Sequence, residues 1–191
     1  MPGTPASSPR LPRSADATRK RILEAAQRSF SSRGYTDVGL REIAALAGCD
    51  TTLIRRYFGS KERLFEAALA ETLDVGALLD GPHDGFGERA VAFFNDERGE
   101  VQAVRMLIFA TSDTVSRAIT LRLMEEQVVK PIAAWLDRSD GRSPAIRLSM
   151  LCSGYFLYAQ VLELKPESED ARAATDRWLA VKLQNVVDGA D

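Results

Sequence analysis

Histidine and cysteine are scarce in this chain, and their scarcity disfavours several kinds of chemistry. The 191 residues include one histidine, His83, and two cysteines, Cys49 and Cys152, which lie far apart and lack metal-ligand spacing. A histidine-based metal site, a histidine-based triad and a disulfide scaffold are all disfavoured. Because we also find no nucleophile–base pair and no Gly-rich phosphate loop, we expect no metal, no cofactor and no enzymatic activity.

Long hydrophobic runs are also missing. The longest uncharged run, residues 148–162, is shorter than the roughly 20 residues that a membrane-spanning helix needs. Residues 1–15 contain four prolines and two arginines but no apolar stretch typical of a secretory signal. We interpret 1–15 as a disordered basic tail, and we expect a cytoplasmic protein without a membrane partner.

Neither sign of charge dominates the whole chain, but the two signs are unevenly distributed. The net charge of −2 divides into +6 for residues 1–65 and −8 for residues 66–191. A basic first domain favours a polyanionic partner, because neutralised phosphates release their counterions. An ordinary solvated charged surface remains the alternative.

Apolar residues recur at helical spacing throughout, and no segment has the alternation of a strand, so we predict an all-α fold. In the N-terminal part the helices are expected at 17–33, 40–47, 51–58 and from 61 onward. Asp16, Asp50 and Ser60 are the predicted N-caps, and Gly34 and Gly48 the predicted helix ends.

Further along, the same periodicity predicts helices at 86–96, 100–111, 113–136, 145–164 and 170–187. The second of these follows a break near Gly99. Pro131 is expected to bend the third or to begin a new segment. Ser143 and Pro144 are placed at the start of the fourth.

Two short helices joined by a tight glycine turn, Ala47 to Asp50, match the pattern of a helix-turn-helix. In the second helix Leu53, Ile54 and Phe58 form the inner face. The outer face carries side chains that suit base and phosphate contacts in a major groove, namely Thr51, Thr52, Arg55, Arg56 and Tyr57. A solvated surface helix is the alternative for so short a segment.

Residues 17–73 resemble the N-terminal domain of the TetR (tetracycline repressor) family of bacterial transcriptional regulators. The resemblance rests on TRKRILEAA at 18–26, FSSRGY at 30–35, REIAALAG at 41–48 and YFGSKE at 57–62, in that order and spacing. It implies an N-terminal three-helix helix-turn-helix domain, 16–60, and a larger C-terminal helical domain for ligand binding and dimerisation, 61–191. The latter is expected to begin with a connecting helix, 61–80.

The resemblance also implies roles for single residues. Arg41 and the five outer residues of the recognition helix are expected to contact DNA, and Lys61 matches the family's phosphate-contacting lysine. Three departures stand out. Gly39 replaces the usual Ser or Thr cap, Arg55 occupies a position that is often Tyr, and Asp50 replaces a more usual Ser.

The family further implies a homodimer through the last two long helices, about 145–164 and 170–187, and an effector pocket among the middle helices. Met and aromatic residues are the candidates for lining that pocket, although each also suits an ordinary core: Phe94, Met106, Phe109, Met124, Trp135, Tyr155 and Tyr158. The predicted partners are therefore a double-stranded DNA operator, an unknown small-molecule effector and a second copy of the chain.

We thus predict a sequence-specific, ligand-responsive transcriptional regulator, most simply a repressor that binds a palindromic operator as a dimer. A non-specific or architectural DNA-binding protein is the alternative. The basic groups Arg10, Arg13 and Arg19 to Arg21 suggest in addition a flexible arm that reaches the DNA, with a solvated tail as the simpler alternative.

Overall fold

A computed structural model describes residues 13–95 and 101–190, and these residues are almost wholly helical, without a strand among them. Two π-helical segments, π1 (Met124–Val129) and π2 (Phe156–Val161), and a 3-10 turn at Tyr35–Asp37 accompany the α-helices. In chain order the helices are α1 (Arg13–Phe30), α2 (Leu40–Leu46), α3 (Thr51–Phe58), α4 (Lys61–Thr72), α5 (Gly76–Leu79), α6 (Phe86–Asn95), α7 (Val101–Ala110), α8 (Thr114–Leu123), α9 (Lys130–Trp135), α10 (Arg142–Tyr155) and α11 (Glu169–Asp188). The expected all-α fold is confirmed for the described residues.

Helices α1 to α4 enclose the N-terminal core. Ile22 of α1, Ile43 of α2 and Ile54 of α3 are fully buried. Phe65 of α4 meets Phe30 edge to face, with 5.1 Å between the ring centres. This edge-to-face geometry is the favoured arrangement of two aromatic rings, so it fixes α4 against α1.

Local capping explains the boundaries around α3. The Asp50 carboxylate accepts a hydrogen bond from Thr52 N at 2.8 Å, and the Ser60 hydroxyl accepts one from Arg63 N at 3.3 Å. Gly48 has φ +62°, a conformation that costs glycine nothing and strains other residues. The predicted N-caps Asp50 and Ser60 and the predicted end at Gly48 are therefore confirmed.

Three predicted helix boundaries, one C-terminal end and two N-terminal starts, are wrong. Gly34 has φ −57° and is not a left-handed cap; it leads directly into the 3-10 turn. Helix α1 begins at Arg13, so Asp16 lies in its first turn, where its charge favours the helix dipole, rather than at the N-cap. Helix α10 begins at Arg142 after Gly141, so Ser143 lies inside the helix and caps nothing.

Two predicted segments also differ in extent. The connecting helix expected over 61–80 ends at Thr72, and the short α5 follows it. Of the tail expected over 1–15, residues 13–15 are helical and residues 1–12 lie outside the described residues. The predicted break near Gly99 also lies outside them.

The C-terminal part is organised by the contact of α6 with α11. A Cβ on Gly87 would lie 1.9 Å from the backbone oxygen of Ala180, so the two helices approach each other at a distance that only glycine permits. Gln184 stabilises the same junction, because its side-chain oxygen accepts a hydrogen bond from Gly87 N at 3.1 Å.

The segments predicted as helices at 113–136 and 145–164 each contain a π-helical stretch. The Lys130 N–H bonds to the Glu125 oxygen, five residues back, directly before Pro131, which has no N–H to continue the regular pattern. The Leu162 N–H bonds to the Leu157 oxygen in the same way, at 2.9 Å. Such wide turns are frequent at functional sites.

Within the described residues, no helix has the length and apolar character needed to cross a membrane.

Replacing Gly87 by alanine is expected to destabilise the protein by at least about 2 kcal/mol, because the added methyl group overlaps the α11 backbone, which cannot move away as a side chain can. Chemical denaturation followed by circular dichroism measures the effect. Gly39→Ser is the control: no atom lies within 4 Å of its Cβ position, and a serine N-cap should add a few tenths of a kcal/mol to the stability. Equal stability of Gly87→Ala and the wild type would contradict the close approach.

Candidate nucleic-acid interface

The turn between α2 and α3 sets the orientation of α3. The Cys49 N–H bonds to the Ala44 oxygen at 3.0 Å, which closes the turn, and Ile54 and Phe58 pack α3 against the core. With that face buried, the opposite face points outward. Thr52, Arg55 and Arg56 are exposed, whereas Thr51 and Tyr57 are half-buried along its edges.

The arginines on this face have no acidic partner among the described residues. Arg41, Arg55 and Arg56 make no ion pair there, although Arg33 nearby is paired with Glu42. In the C-terminal part, by contrast, carboxylates pair with Arg122, Arg138 and Arg142. Within the described residues, the surface around α3 therefore presents cationic groups that no carboxylate engages, and those groups suit an anionic partner.

Lys61 is the first residue of α4 and lies beside this surface. Its ammonium nitrogen is 4.4 Å from the centre of the Tyr35 ring and 3.5 Å from the Thr36 oxygen. Burial lowers the pKa of Lys61, while Glu62 and Asp113 act in the opposite direction. The Tyr35 ring is itself fixed by Phe65, 5.4 Å away, so the lysine is held at the N-terminus of α4, where the backbone N–H groups also favour anions.

Two acidic groups border the same region. The backbone N–H of Thr52 lowers the pKa of the Asp50 carboxyl, which caps α3, and a hydrogen bond from Ser60 lowers the pKa of Glu62. Asp50 thus caps α3, whereas Glu62 lies in the first turn of α4, where its negative charge favours the helix dipole. Burial raises the pKa of Tyr35, and the charge of Glu62 adds to that effect.

Arg19 lies beside this surface on α1, and not on the flexible arm expected for it. Its guanidinium carbon lies 5.4 Å from the centre of the Phe58 ring, at the end of α3. Arg13 and Arg19 to Arg21 are all part of α1, so the flexible arm proposed for them is wrong; Arg10 lies outside the described residues. The helix predicted at 17–33 already included Arg19 to Arg21, so the flexible arm conflicted with that prediction.

The seven residues suggested for an effector pocket are not brought together. Phe94 and Met124 line an apolar cavity of about 100 Å³ among α5, α6, α7, π1 and α10. Tyr155 and Tyr158 line a larger groove of about 830 Å³ between α10, π2 and α11. Met106, Phe109 and Trp135 line neither space: Met106 is fully buried, Phe109 is half-buried, and Trp135 packs on His83 and Phe86.

A polar chain of hydrogen bonds borders the groove and went unpredicted apart from Tyr155. The Tyr155 hydroxyl donates to the Asn95 side-chain oxygen at 2.6 Å, and the Asn95 amide donates to Asp176 of α11 at 3.0 Å. Burial raises the pKa of Tyr155, as does the charge of Asp176. These bonds tie the end of α6 to α10 and α11.

Comparison with known proteins agrees with this arrangement. The family model described as "Bacterial regulatory proteins, tetR family" matches residues 22–68, and that of a "Tetracyclin repressor-like, C-terminal domain" matches residues 84–187. The HTH-type transcriptional repressor NicS of Pseudomonas putida is 46% identical over 55 residues, which are 29% of this chain and 26% of that protein. The chain thus matches only about a quarter of the length of this relative.

Two further proteins are similar over nearly their whole length. The HTH-type transcriptional regulator BetI of Brucella suis is 24% identical over 182 residues, 86% of this chain and 91% of BetI. The crystal structure of a TetR-family regulator from Streptomyces coelicolor has a TM-score of 0.55 and 24% identity, and the match covers 95% of this chain and 99% of that one. With an outward-facing recognition helix and family models that match both its N-terminal and its C-terminal parts, this chain belongs to the TetR family of helix-turn-helix transcriptional regulators.

Proposed function

We propose that this chain is a repressor that binds a palindromic DNA operator as a homodimer and responds to a small molecule. The observation that carries the DNA-binding part is that Arg55 and Arg56 are exposed on the outer face of α3 and have no carboxylate partner in the part of the chain that the structure describes. Two guanidinium groups at this position match guanine acceptors in a major groove, which each arginine can contact through two hydrogen bonds.

We assign the surrounding residues by their position. Thr51 and Thr52 at the start of α3 and Tyr57 near its end extend the base-facing surface, while Arg41 and Lys61 flank it on α2 and α4. Residues on the flanks suit phosphates, which lie on both sides of a groove. We therefore propose that the residues of α3 contact DNA bases and that Arg41 and Lys61 contact the DNA backbone. In this proposal the DNA-binding domain spans residues 16–60 and the effector-binding and dimerisation domain spans residues 61–191.

Exposed apolar residues on α10, π2 and α11 support the dimer. Met150 and Tyr158 on one side, and Trp178 and Val181 of α11 on the other, are each more than half exposed. Between Met150 and Tyr158, Gly154 has no atom within 4 Å of its Cβ position, so this surface is open to close approach by another helix. A helical surface of this kind suits a second copy, and two-fold symmetry would present two recognition helices to the two halves of a palindrome.

A continuous set of contacts between the C-terminal cavity and α4 supports the response to a ligand. Met124 and Val128 of π1 line the cavity. Arg122, just before π1, donates to Glu126 of π1 at 3.2 Å and to Glu66 of α4 at 2.7 Å. A ligand that moves π1 would therefore change the position of α4, whose first turn carries Lys61, and a ligand with unequal affinity for two such positions shifts their populations.

The name of NicS, a transcriptional repressor, favours repression over activation. DNA as the partner implies a location in the cytoplasm. The basic surface alone would also serve a non-specific DNA-binding protein, and the first experiment separates the two functions.

Purified full-length protein is expected to select genomic fragments that share a palindromic motif, with half-sites about one or more helical turns apart, roughly 34–36 Å for one turn. Selection followed by sequencing of the bound fragments is the measurement. Titrations of a selected fragment and a scrambled one at several salt concentrations serve as the control. Equal affinity for both fragments would refute sequence-specific repression and favour the architectural alternative.

Arg55→Ala and Arg56→Ala are each expected to cost about 1–3 kcal/mol at the selected site and much less on scrambled DNA, because only base contacts depend on sequence. Lys61→Gln is the contrasting variant: it should weaken both DNAs similarly and reduce the salt slope by about one. Fluorescence anisotropy measures all three. A loss that is equal on both DNAs for the arginine variants would assign those side chains to phosphates instead.

Val181→Glu is expected to convert the dimer to a monomer, because it places a charge in an apolar interface, and to weaken binding to the full palindrome by at least about tenfold. Light scattering after gel filtration determines the mass. Leu121→Glu is the matched control, since Leu121 is similarly exposed but lies on α8. A dimeric Val181→Glu protein would remove α11 from the interface.

A further inference from the structure

The apolar cavity is small and formed by almost every element of the C-terminal part. Phe93 and Phe94 of α6, Leu107 of α7, Met124 of π1 and Phe156 of π2 contribute to its wall. Its volume is about 100 Å³. An engineered cavity of roughly 150 Å³ lined by similar side chains binds benzene, so this smaller space limits a ligand to about one ring at most.

The charges that line the cavity restrict the ligand further. Among the described lining residues there is no Lys, Arg or His, and Asp74 is the single acidic residue. Asp74 is exposed, and its carboxylate already accepts a hydrogen bond from Gly76 N at 2.8 Å. A ligand carboxylate or phosphate would therefore lose its hydration without gaining a cation, and a buried charge without a partner is strongly unfavourable.

The polar groups that line the cavity are neutral or already bonded. The Ser149 hydroxyl donates to the Ala145 oxygen at 2.8 Å, within its own helix. Burial raises the pKa of the Cys152 thiol to about 12, so at neutral pH the thiol stays protonated and contributes no negative charge. Of the three polar residues that α10 contributes, this leaves the Ser153 hydroxyl as the group most available to a ligand.

We propose that the effector is a neutral, mainly apolar molecule of about one aromatic ring, bound in the cavity among α6, α7, π1 and α10, and that anionic molecules of the same size are rejected. This inference rests on the proposal that the protein responds to a small molecule through this cavity. It adds the chemical class: apolar contact with Phe93, Phe94, Leu107 and Met124 supplies the affinity, and the absence of a lining cation in the described residues supplies the selectivity.

Toluene and benzoate form a matched pair of probes, because they share one ring and differ in charge. Titration calorimetry with the full-length protein is expected to show that toluene binds. The affinity for benzoate is expected to be at least about 100-fold lower. Benzoate that binds as well as toluene, or no binding of either compound, would overturn the proposal.

Two variants locate the site. Ala103 lines the cavity, so Ala103→Leu should fill it and lower the affinity for toluene by at least about tenfold. The control Ala134→Leu, at an exposed position of α9, should leave that affinity unchanged. Leu107→Ala should enlarge the cavity and increase the affinity for naphthalene relative to toluene. Because this second variant gains binding, it tests the site even if Ala103→Leu fails to fold. Toluene affinity that is unchanged in Ala103→Leu, together with no gain for naphthalene in Leu107→Ala, would place the ligand elsewhere.

Operator affinity measured with and without toluene separates this inference from the proposed function. Toluene binding that is sensitive to Ala103→Leu and leaves operator affinity unchanged would support the ligand class and refute regulation through the cavity. A protein without a preferred operator would refute the repressor, and the calorimetric results on the cavity would stand on their own.

Discussion

The burial of α4 on two sides is the constraint on which the rest of the structure depends. Leu64, Phe65, Ala68 and Leu69 are all fully buried, because α1 packs on one side of the helix while α7 and α8 pack on the other. A helix whose apolar surface is wider than a single stripe belongs to two cores at once. Since interiors are closely packed, α4 cannot shift against one core without changing its fit to the other. It therefore joins the surface around α3 mechanically to the cavity wall.

The polar contacts of α4 act in the same direction. Gln27 of α1 donates to the Ala68 oxygen at 3.2 Å, while Glu66 faces α8 and accepts from Arg122. The Arg122 pair is exposed, and an exposed ion pair adds little to stability, about 0–1 kcal/mol. Its importance is geometric: it links the helix that begins with Lys61 to π1. Apolar burial thus supplies the stability of the joint, and the charged contact adds a direct polar link from α4 to π1.

The local features of the N-terminal part could be predicted from the sequence because the relevant signals lie close together in the chain. Asp50, Ser60 and Gly48 act on groups within four residues, so the bounds of α3 followed from them directly. Gly34 failed because a glycine after a helical pattern permits, but does not require, a left-handed residue. The inner face of α3 was predicted correctly at Ile54 and Phe58, since a period of 3.6 residues fixes which side is buried once the apolar positions are known.

The cavity could not be predicted in this way, because it depends on packing between distant segments. Met106 and Met124 look equivalent in sequence, yet one faces a closed core and the other faces the cavity next to a π-helical turn. A single extra residue per turn rotates all later side chains by about 100° relative to an α-helix. Pro131 indicated a break in this segment, but not the wider turn before it or the rotation that follows. Aromatic content identified the kind of residue that lines a pocket but not which space each one faces.

The division of charge between the two parts gains a structural meaning from these contacts. The unpaired arginines lie around α3, whereas the C-terminal part has an excess of acidic residues and pairs several of its arginines internally. A polyanion approaching such a molecule is attracted at one end and repelled at the other, so the field orients the protein before any specific contact forms. The same acidic excess is consistent with a cavity that disfavours anions. Charge patterning therefore supports both proposals: it favours a polyanion at α3 and a neutral molecule in the interior of the C-terminal part.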